Sequence, residues 1–245
     1  MNIAIILAGG TGTRMGCDIP KQFLELDSKT VIEHSIDAFE QTDGIDEIAV
    51  VAHPLWMEHM KHIATNREWK KLSRILEGGE ERYFSSLNAI AAHLDYPDDT
   101  NLILHDAARP WITQDIINRV LKALEEHEAV GVGVPSTDTI WEIRRELSGE
   151  RFVARIPERK RMWMAQTPQA FRLPVIRDAY QRALQDPNFI ATDDCGVVRQ
   201  YMPDMKIYVV EGSEHNKKIT FSGDIPVTIP GLTNDAKYAT MKKNT

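Results

Sequence analysis

Short apolar runs alternate with amphipathic stretches through the first half of the chain, and this alternation constrains the fold more than any other feature. The apolar runs predict strands at residues 2–7, 47–52, 73–76, 101–105 and 129–134. The amphipathic stretches predict helices at 30–39, from Pro54 through the following LWMEHMKHIA, at 85–94 and at 113–126. Strands that alternate with helices form a mostly parallel sheet covered by helices on both faces. We therefore predict an α/β protein with a twisted, mostly parallel sheet.

Composition and charge restrict the classes of protein to which the chain can belong. Of the 245 residues, 42% are hydrophobic and 27% are charged, as in soluble globular proteins, and we treat residues 1–245 as one domain. The formal net charge of −7 argues against a nucleic-acid partner, which needs a dominant basic face. No apolar run approaches ~18 residues, so no membrane span is expected. Cys17 and Cys195 are too few for a disulfide framework, so we expect a cytoplasmic protein.

Residues 136–157 interrupt the alternation of strands and helices. They contain two β-prone runs around a turn at Ser148-Gly149, which predicts a hairpin that forms a protruding β-arm. Because a two-stranded hairpin is barely stable alone, the arm must pack on the body or on another subunit. Four apolar residues favour another subunit and hence a homodimer: Ile140, Ile143, Phe152 and Val153. The polar, lysine-rich tail at 235–245 is predicted to fray.

The first predicted strand runs directly into the loop AGGTGTRMG, and PKQF follows a few residues later. The loop is not a GxxxxGK[ST] phosphate loop, and a G-x-G-x-x-G fingerprint would require glycine where Met15 stands. Its backbone N–H groups can still point at an anion, because glycine has no Cβ to obstruct them. Arg14 would add a forked donor for phosphate oxygens, and Lys21 a compact positive charge. The alternative is an ordinary glycine turn with two solvated cations.

Two further predicted strands end in residues that suit phosphate chemistry. GGEERYFSS follows the third strand, with Ser85 near the start of a helix, and HDAARP follows the fourth, with Asp106 and Arg109. Asp106 alone could be a structural residue, and Asp106 beside Arg109 could be a plain ion pair. Because ligands of parallel sheets bind beyond the carboxyl ends of the strands, these segments and the glycine loop together predict one phosphate-binding site.

A series of longer motifs follows the chain from its start to about residue 225. They are AIILAGGTGTRMG with PKQF, GGEERYFSS, HDAARP, VPSTDT, IPER, AQTPQAF, TDDC and NKKIT. They stand in the order found in a family of CTP-dependent cytidylyltransferases, which the chain therefore resembles. The resemblance implies a Rossmann-like nucleotidyltransferase fold, Mg²⁺ as cofactor, and CTP and a polyol phosphate as substrates. It also implies a homodimer in which the β-arm reaches into the neighbouring subunit.

The resemblance also implies a role for each residue that matches a motif. The triphosphate would lie against Ala8, Gly9, Gly10, Gly12, Arg14 and Lys21, and cytosine and ribose against Gly79, Glu80 and Ser85. The acceptor would be held by Asp106, Arg109, Thr139 and, from the neighbouring subunit, Arg159. Mg²⁺ would bind Asp106 and Asp224, and the catalytic cations would be Arg14, Lys21, Arg159 and Lys218. Lys217 stands where the family usually has isoleucine, so the position of Lys218 depends on the course of the backbone there.

The implied reaction needs no general base, because the acceptor phosphate is already an anion. Its obstacle is the repulsion between two anions, which positioned cations can relieve. His105, next to Asp106, is therefore predicted to be a packing residue rather than a base.

The predicted acceptor is D-ribitol 5-phosphate, used in teichoic-acid or capsule synthesis. The alternative acceptor is 2-C-methyl-D-erythritol 4-phosphate, an intermediate of isoprenoid synthesis. Two other classes stay open on the sequence alone. One is a sugar-1-phosphate nucleotidyltransferase that uses UTP or dTTP, and the other is a nucleotide-binding regulator without catalytic activity.

Overall fold

The computed structural model describes residues 1–10, 19–79 and 81–224. The strands in this part of the chain are β1 (Asn2–Ala8), β2 (Glu25–Leu26), β3 (Lys29–Thr30), β4 (Glu47–Ala52), β5 (Leu72–Glu77), β6 (Asn101–Asp106), β7 (Ala129–Pro135), β8 (Glu142–Arg145), β9 (Arg151–Arg155), β10 (Trp163–Arg172) and β11 (Tyr208–Glu211). The helices are α1 (Val31–Glu40), α2 (Met57–Thr65), α3 (Arg82–Ala91), α4 (Gln114–Ala123), α5 (Leu173–Ala183) and α6 (Asp194–Tyr201).

Seven strands form the main sheet, in the order β11-β7-β10-β6-β1-β4-β5. β10 runs antiparallel to its neighbours β6 and β7, and the other neighbouring pairs are parallel. The mostly parallel α/β sheet is therefore confirmed. β10 lies inside the sheet and β11 at its edge, and the sequence pattern predicts neither of these two strands.

Both faces of the sheet are covered by helices, as the continuous apolar strands require. Ala4 and Ile6 of β1 pack in a core with α1, α2 and α4. Ile3 and Ile5, which point to the opposite face, pack in a second core with α3, α5 and α6. A strand buried on both faces has no polar alternation, which explains why β1 reads as one apolar run.

Two helix starts bear on the site. The Thr113 side chain caps α4 by accepting a hydrogen bond from the N–H of Ile116, as the sequence predicts. Helix α3 begins at Arg82, earlier than the predicted start at residue 85. The earlier start places Ser85 inside the first turn of α3, next to the loop that follows β5.

The β-arm forms as a hairpin of β8 and β9, which pair with each other in a separate two-stranded sheet. Its turn contains Gly149 at a φ of +91°, a left-handed conformation that favours glycine. All residues of both strands are exposed. The predicted frayed tail at 235–245 lies outside the described residues. Among the residues that are described, no helix combines the length and apolarity needed to cross a membrane.

Candidate active site

The parallel strands bring the ends of β1, β4, β5 and β6 to one edge of the sheet. Leu7 of β1 lies in register with Asp106, the last residue of β6. Ala8 lies in register with Ala52 of β4, which in turn pairs with Glu77 at the end of β5. The loops that follow β1, β5 and β6 therefore leave the sheet side by side, where the sequence predicts the site.

The loops after β1 and β5 approach each other too closely for side chains. A Cβ on Gly9 would lie 2.5 Å from Ser85 Oγ, and a Cβ on Gly78 would lie 3.1 Å from the carbonyl oxygen of Ala52. The N–H of Gly79 donates a weak hydrogen bond to Ser85 Oγ at 3.4 Å. The structure thus brings together Gly9, Gly79 and Ser85, which the resemblance assigns to the nucleotide. The two loops meet there through glycine backbone, without side chains between them.

Gln22 holds the start of the glycine-rich loop, a role that the sequence analysis missed. Its buried Nε2 donates hydrogen bonds of 2.8 Å to the carbonyl oxygens of both Ala8 and Gly10. These two hydrogen bonds fix the positions of Ala8 and Gly10 at the end of β1. The only signal in the sequence was the place of Gln22 in the motif PKQF, next to Lys21.

Lys21 connects the same segment to the C-terminal part of the site. It lies in a 3₁₀ turn, Lys21–Phe23, and its Nζ donates a hydrogen bond of 2.7 Å to the carbonyl oxygen of Ile219. Ile219 is the neighbour of Lys218, so two of the predicted catalytic lysines lie on segments that are in direct contact.

Three cations surround the carboxylate of Asp106, which the resemblance assigns to the acceptor. Lys218 Nζ lies 2.9 Å from Asp106 Oδ2, Arg109 Nε lies 3.4 Å from the same oxygen, and Arg82 Nε lies 3.4 Å from Oδ1. These cations come from a C-terminal loop, the loop after β6 and the start of α3. The predicted gathering of Asp106, Arg109 and Lys218 is therefore present, and Arg82 joins it.

The cations decide the charge of Asp106. Burial alone would raise the pKa of its carboxyl group, but Lys218, Arg82 and Arg109 together hold the pKa far below its ordinary value. Burial also lowers the pKa of Arg109, although the negative charge of Asp106 acts to raise it. Asp106 is therefore ionised, and the cluster keeps a net positive charge that an anionic ligand can neutralise.

The segment that carries Lys218 is pinned to the loop after β6. Arg109 Nη1 donates to the carbonyl oxygen of Asn216 at 2.9 Å, and the N–H of Ile219 donates to the carbonyl oxygen of Ala108 at 2.8 Å. Lys217, between them, points to solvent. The extra lysine in NKKIT therefore does not displace Lys218 from the site.

Two predicted acceptor ligands belong to the region of the β-arm, with Thr139 inside the arm and Arg159 just after its end. Arg159 Nη1 donates to the carbonyl oxygen of Thr137 at 3.3 Å, and both Arg159 and Thr139 are exposed. In the described parts of the chain, no ion pair joins Arg159 to the carboxylates of the site. Their predicted role therefore depends on a second copy of the chain. Gly12, Arg14 and Glu80 lie outside the described residues, and the roles predicted for them stay predictions.

The two predicted magnesium ligands have different surroundings. Asp224 Oδ2 accepts hydrogen bonds of 2.7 Å from the N–H groups of Thr220 and Phe221 and so closes a turn. Within residues 1–10, 19–79 and 81–224, no group of three or more acidic, histidine or cysteine side chains could hold a metal ion. Mg²⁺ often binds one or two carboxylates and takes its other ligands from substrate phosphates and water. Asp106 at the rim fits that mode, and metal binding by Asp106 and Asp224 stays a prediction.

His105 is a packing residue, as predicted. It is fully buried, its Nδ1 accepts from the hydroxyl of Thr167 at 3.0 Å, and its Nε2 lies 3.2 Å from the carbonyl oxygen of Arg109. Burial lowers the pKa of His105 to about 4, against the opposing effect of Asp106. The neutral ring therefore supports the Asp106–Arg109 loop from beneath and does not face the site as a base.

A mostly parallel α/β sheet whose glycine-rich edge lies beside a cationic cluster is the arrangement that the sequence analysis predicts for a nucleotidyltransferase. A family model described as 2-C-methyl-D-erythritol 4-phosphate cytidylyltransferase (IspD) matches residues 2–229. The chain belongs to this cytidylyltransferase family.

Individual relatives agree with the family match. A 2-C-methyl-D-erythritol 4-phosphate cytidylyltransferase of Thermobifida fusca is 43% identical over 224 residues, which cover 91% of this chain and 90% of the relative. The bifunctional ribulose 5-phosphate reductase/CDP-ribitol pyrophosphorylase Bcs1 of Haemophilus influenzae is 38% identical over 91% of this chain and 46% of its own length. The solved 4-diphosphocytidyl-2C-methyl-D-erythritol synthase of Anaerococcus prevotii superposes with a TM-score of 0.79 at 26% identity, with 92% of each chain covered.

Proposed function

We propose that the protein transfers CMP from CTP to 2-C-methyl-D-erythritol 4-phosphate and releases pyrophosphate. The cluster of Lys218, Arg109 and Arg82 around Asp106 is the observation that carries the proposal, because it offers a positive site for an anionic acceptor beside the glycine edge. This choice of acceptor follows the alternative of the sequence analysis rather than its main prediction, D-ribitol 5-phosphate. The family model and the 43% identical relative both bear the name of the methylerythritol enzyme and favour the alternative acceptor.

In this reaction an oxygen of the acceptor phosphate attacks the α-phosphorus of CTP. The new P–O bond forms as the bond between the α-phosphorus and the bridging oxygen of pyrophosphate breaks, so the leaving group departs with the electron pair. No proton has to be removed from the nucleophile. The contribution of the protein is to align the two anions and to offset their charge, which is how most phosphoryl-transfer catalysts act.

The chain divides this work between two sides of the site. The loops around Gly9, Gly79 and Ser85 present backbone N–H groups and one hydroxyl to the nucleotide. Lys218 and Arg109 present positive charge to the acceptor phosphate. Lys21, tied to the carbonyl oxygen of Ile219 beside Lys218, lies between the two sides and is placed to meet the triphosphate. Mg²⁺, when bound with the triphosphate and near Asp106, would supply further positive charge to the leaving pyrophosphate.

We propose that the active unit is a homodimer formed through the β-arm. The arm exposes large apolar side chains that its own chain does not cover: Ile140, Trp141, Ile143, Leu147, Phe152, Val153 and Ile156. An exposed apolar surface of this kind is typical of a protein–protein contact. Arg159 and Thr139, on the flanks of the same arm, would then be delivered to the acceptor site of the second copy. The cytoplasmic location stays a prediction.

A comparison of acceptors tests the proposed reaction. With CTP and Mg²⁺, we expect pyrophosphate release with 2-C-methyl-D-erythritol 4-phosphate at a kcat/KM about 100-fold above that with D-ribitol 5-phosphate, the scale on which a pocket discriminates a missing methyl or an added hydroxyl group. The 38% identity to the CDP-ribitol enzyme makes ribitol 5-phosphate the second candidate. A preference for that substrate would contradict the proposed acceptor. Turnover with UTP or dTTP in place of CTP, or CTP binding without turnover of either acceptor, would contradict the proposed reaction.

Replacing Gly78 with alanine tests the nucleotide side of the site. The new Cβ would press on the carbonyl oxygen of Ala52 and on the backbone of Gly9, at 3.1 and 3.2 Å, so the loops must separate. Overpacking of this kind costs about 1–3 kcal/mol, and we expect the Kd for CTP, measured by calorimetry, to rise about tenfold. Gly223→Ala, where a Cβ meets nothing within 4 Å, is the matched control. Equal CTP affinity in the two variants would contradict the assignment.

A further inference from the structure

Arg82 links the acceptor side of the site to the interior of the protein. It is the first residue of α3, and its guanidinium reaches two carboxylates at once. Nη1 lies 2.7 Å from Asp194 Oδ2, and Nε lies 3.4 Å from Asp106 Oδ1. Asp194 belongs to the first turn of α6, so Arg82 joins helices on one face of the sheet to the end of β6.

The interior end of this link is rigid. The Asp194 side chain is fully buried, and its Oδ1 accepts a hydrogen bond of 2.7 Å from the hydroxyl of Tyr180, which is itself buried in α5. A buried carboxylate is stable only when it is paired and hydrogen-bonded. Burial alone would lower the pKa of Arg82, but Asp194 and Asp106 raise it, so the guanidinium stays charged. Arg82 therefore has one fixed anchor, and its reach to Asp106 is set by that anchor.

The other end of the link meets the residues that face the acceptor. Asp106 Oδ2 contacts Lys218 and Arg109, while Oδ1 faces Arg82. A carboxylate held on one oxygen by a fixed arginine cannot rotate freely, so the other oxygen presents one direction to Lys218. If Arg82 served only to pair with the buried Asp194, its contact with Asp106 would not be needed. In addition, Arg82 Nη2 is buried and has no hydrogen-bond partner among the described residues, a cost that stability alone does not explain.

We propose that Arg82 is a positioning residue for the acceptor: anchored on Asp194, it orients the Asp106 carboxylate and through it the Lys218 ammonium group. The inference rests on the proposed function, because it gives the acceptor half of the site its geometry. It places no demand on the nucleotide half, where the described contacts run through Gly79 and Ser85.

Arg82→Lys is the direct test. Lysine keeps the positive charge, but its single ammonium group cannot span two carboxylates as the planar guanidinium does. We expect the KM for the acceptor to rise about tenfold to a hundredfold, as for a small misplacement of a reactive group, while the Kd for CTP changes less than about twofold. Asp194→Asn keeps the hydrogen bond from Tyr180 but loses the charge that anchors Arg82. It should therefore also raise the KM for the acceptor and leave the Kd for CTP nearly unchanged. It serves as the second variant if Arg82→Lys does not fold.

Arg74→Lys is the matched control for lost stability. Arg74 is a half-buried arginine of β5 whose Nη1 and Nη2 donate to the carbonyl oxygen of Ala92 and the hydroxyl of Tyr96, at 2.7 and 2.9 Å. The same substitution there should lower Tm without raising the KM for the acceptor. If both lysine variants lower Tm and leave the acceptor KM alone, or if Arg82→Lys weakens CTP and acceptor equally, the positioning role is overturned.

Crystal structures of the variants give a readout that does not need turnover. In Arg82→Lys we expect the Asp106 carboxylate to rotate and its 2.9 Å contact with Lys218 to be lost, whereas Arg74→Lys should retain the contact. An unchanged Asp106–Lys218 contact in Arg82→Lys would also overturn the inference. Failure of the proposed function looks different, because the wild-type protein would then turn over neither acceptor, or would prefer D-ribitol 5-phosphate, whatever the geometry of the variants.

Discussion

Replacing Lys218 with alanine is expected to lower kcat about 100- to 1000-fold, because the variant loses a positioned cation at the place where two anions meet in the proposed reaction. Removal of one preorganised donor from a site that stabilises developing charge costs about 3 kcal/mol, which corresponds to that range. The Lys218 ammonium group is 2.9 Å from Asp106, and its side chain is 35% exposed, so it is held on one side and open to substrate on the other. Pyrophosphate release under saturating CTP and acceptor measures the effect.

Lys217→Ala is the matched control for this variant. The two lysines are neighbours, but Lys217 is exposed and only its backbone N–H has a described hydrogen bond, to the carbonyl oxygen of His215. We expect its kcat to stay within about twofold of the wild type, as for a solvated surface charge. A larger loss in Lys217→Ala than in Lys218→Ala would mean that the extra lysine of NKKIT shifts the motif. Both variants should keep their fold, because Asp106 retains two arginines.

The parallel part of the fold could be predicted because it is buried on both faces. The continuous apolar runs correspond to β1, β4, β6 and β7 nearly to the residue, and a threonine cap marked the start of α4. β10 could not be predicted in this way. Its segment WMAQTPQAFR has polar residues at its centre, and Gln166, Thr167 and Gln169 are all buried. Partners that are distant in the chain make this possible, since Asn216 bonds to Gln166 and Thr167, and Asp193 to Gln169.

In the site, too, some residues could be predicted from the sequence, and others depend on partners that are distant in the chain. The resemblance carried by the order of the motifs was enough to predict that Asp106, Arg109 and Lys218 share one site. Arg82 and Gln22 were not identified, although both lie inside quoted motifs. The role of Arg82 depends on Asp194, and that of Gln22 on the carbonyl oxygens of the first loop. Contacts of this kind are determined by tertiary packing and cannot be predicted from the spacing or the type of residues in the sequence.

Paired variants of Lys218 and Arg159 are expected to restore activity only when the two changes lie on different chains. If Arg159 of one copy serves the site of the other, a heterodimer of a Lys218→Ala chain and an Arg159→Ala chain contains one doubly damaged site and one intact site. Its kcat should be about half that of the wild type, by the two-fold symmetry of such a dimer. Each single variant alone should be far less active. Co-expression with two affinity tags and sequential purification isolates the heterodimer.

The reverse arrangement of the same changes provides the control. A heterodimer of a wild-type chain and a chain that carries both Lys218→Ala and Arg159→Ala has one substitution in each site, so it should be as inactive as the single variants. If Arg159 instead served its own chain, the result would be inverted: the doubly substituted heterodimer would keep about half of the activity, and the first would have none. Failure to recover any doubly tagged species would contradict the homodimer itself. The first outcome is the expected one, because Arg159 contacts Thr137 and, among the described residues, forms no ion pair with Asp106 of its own chain.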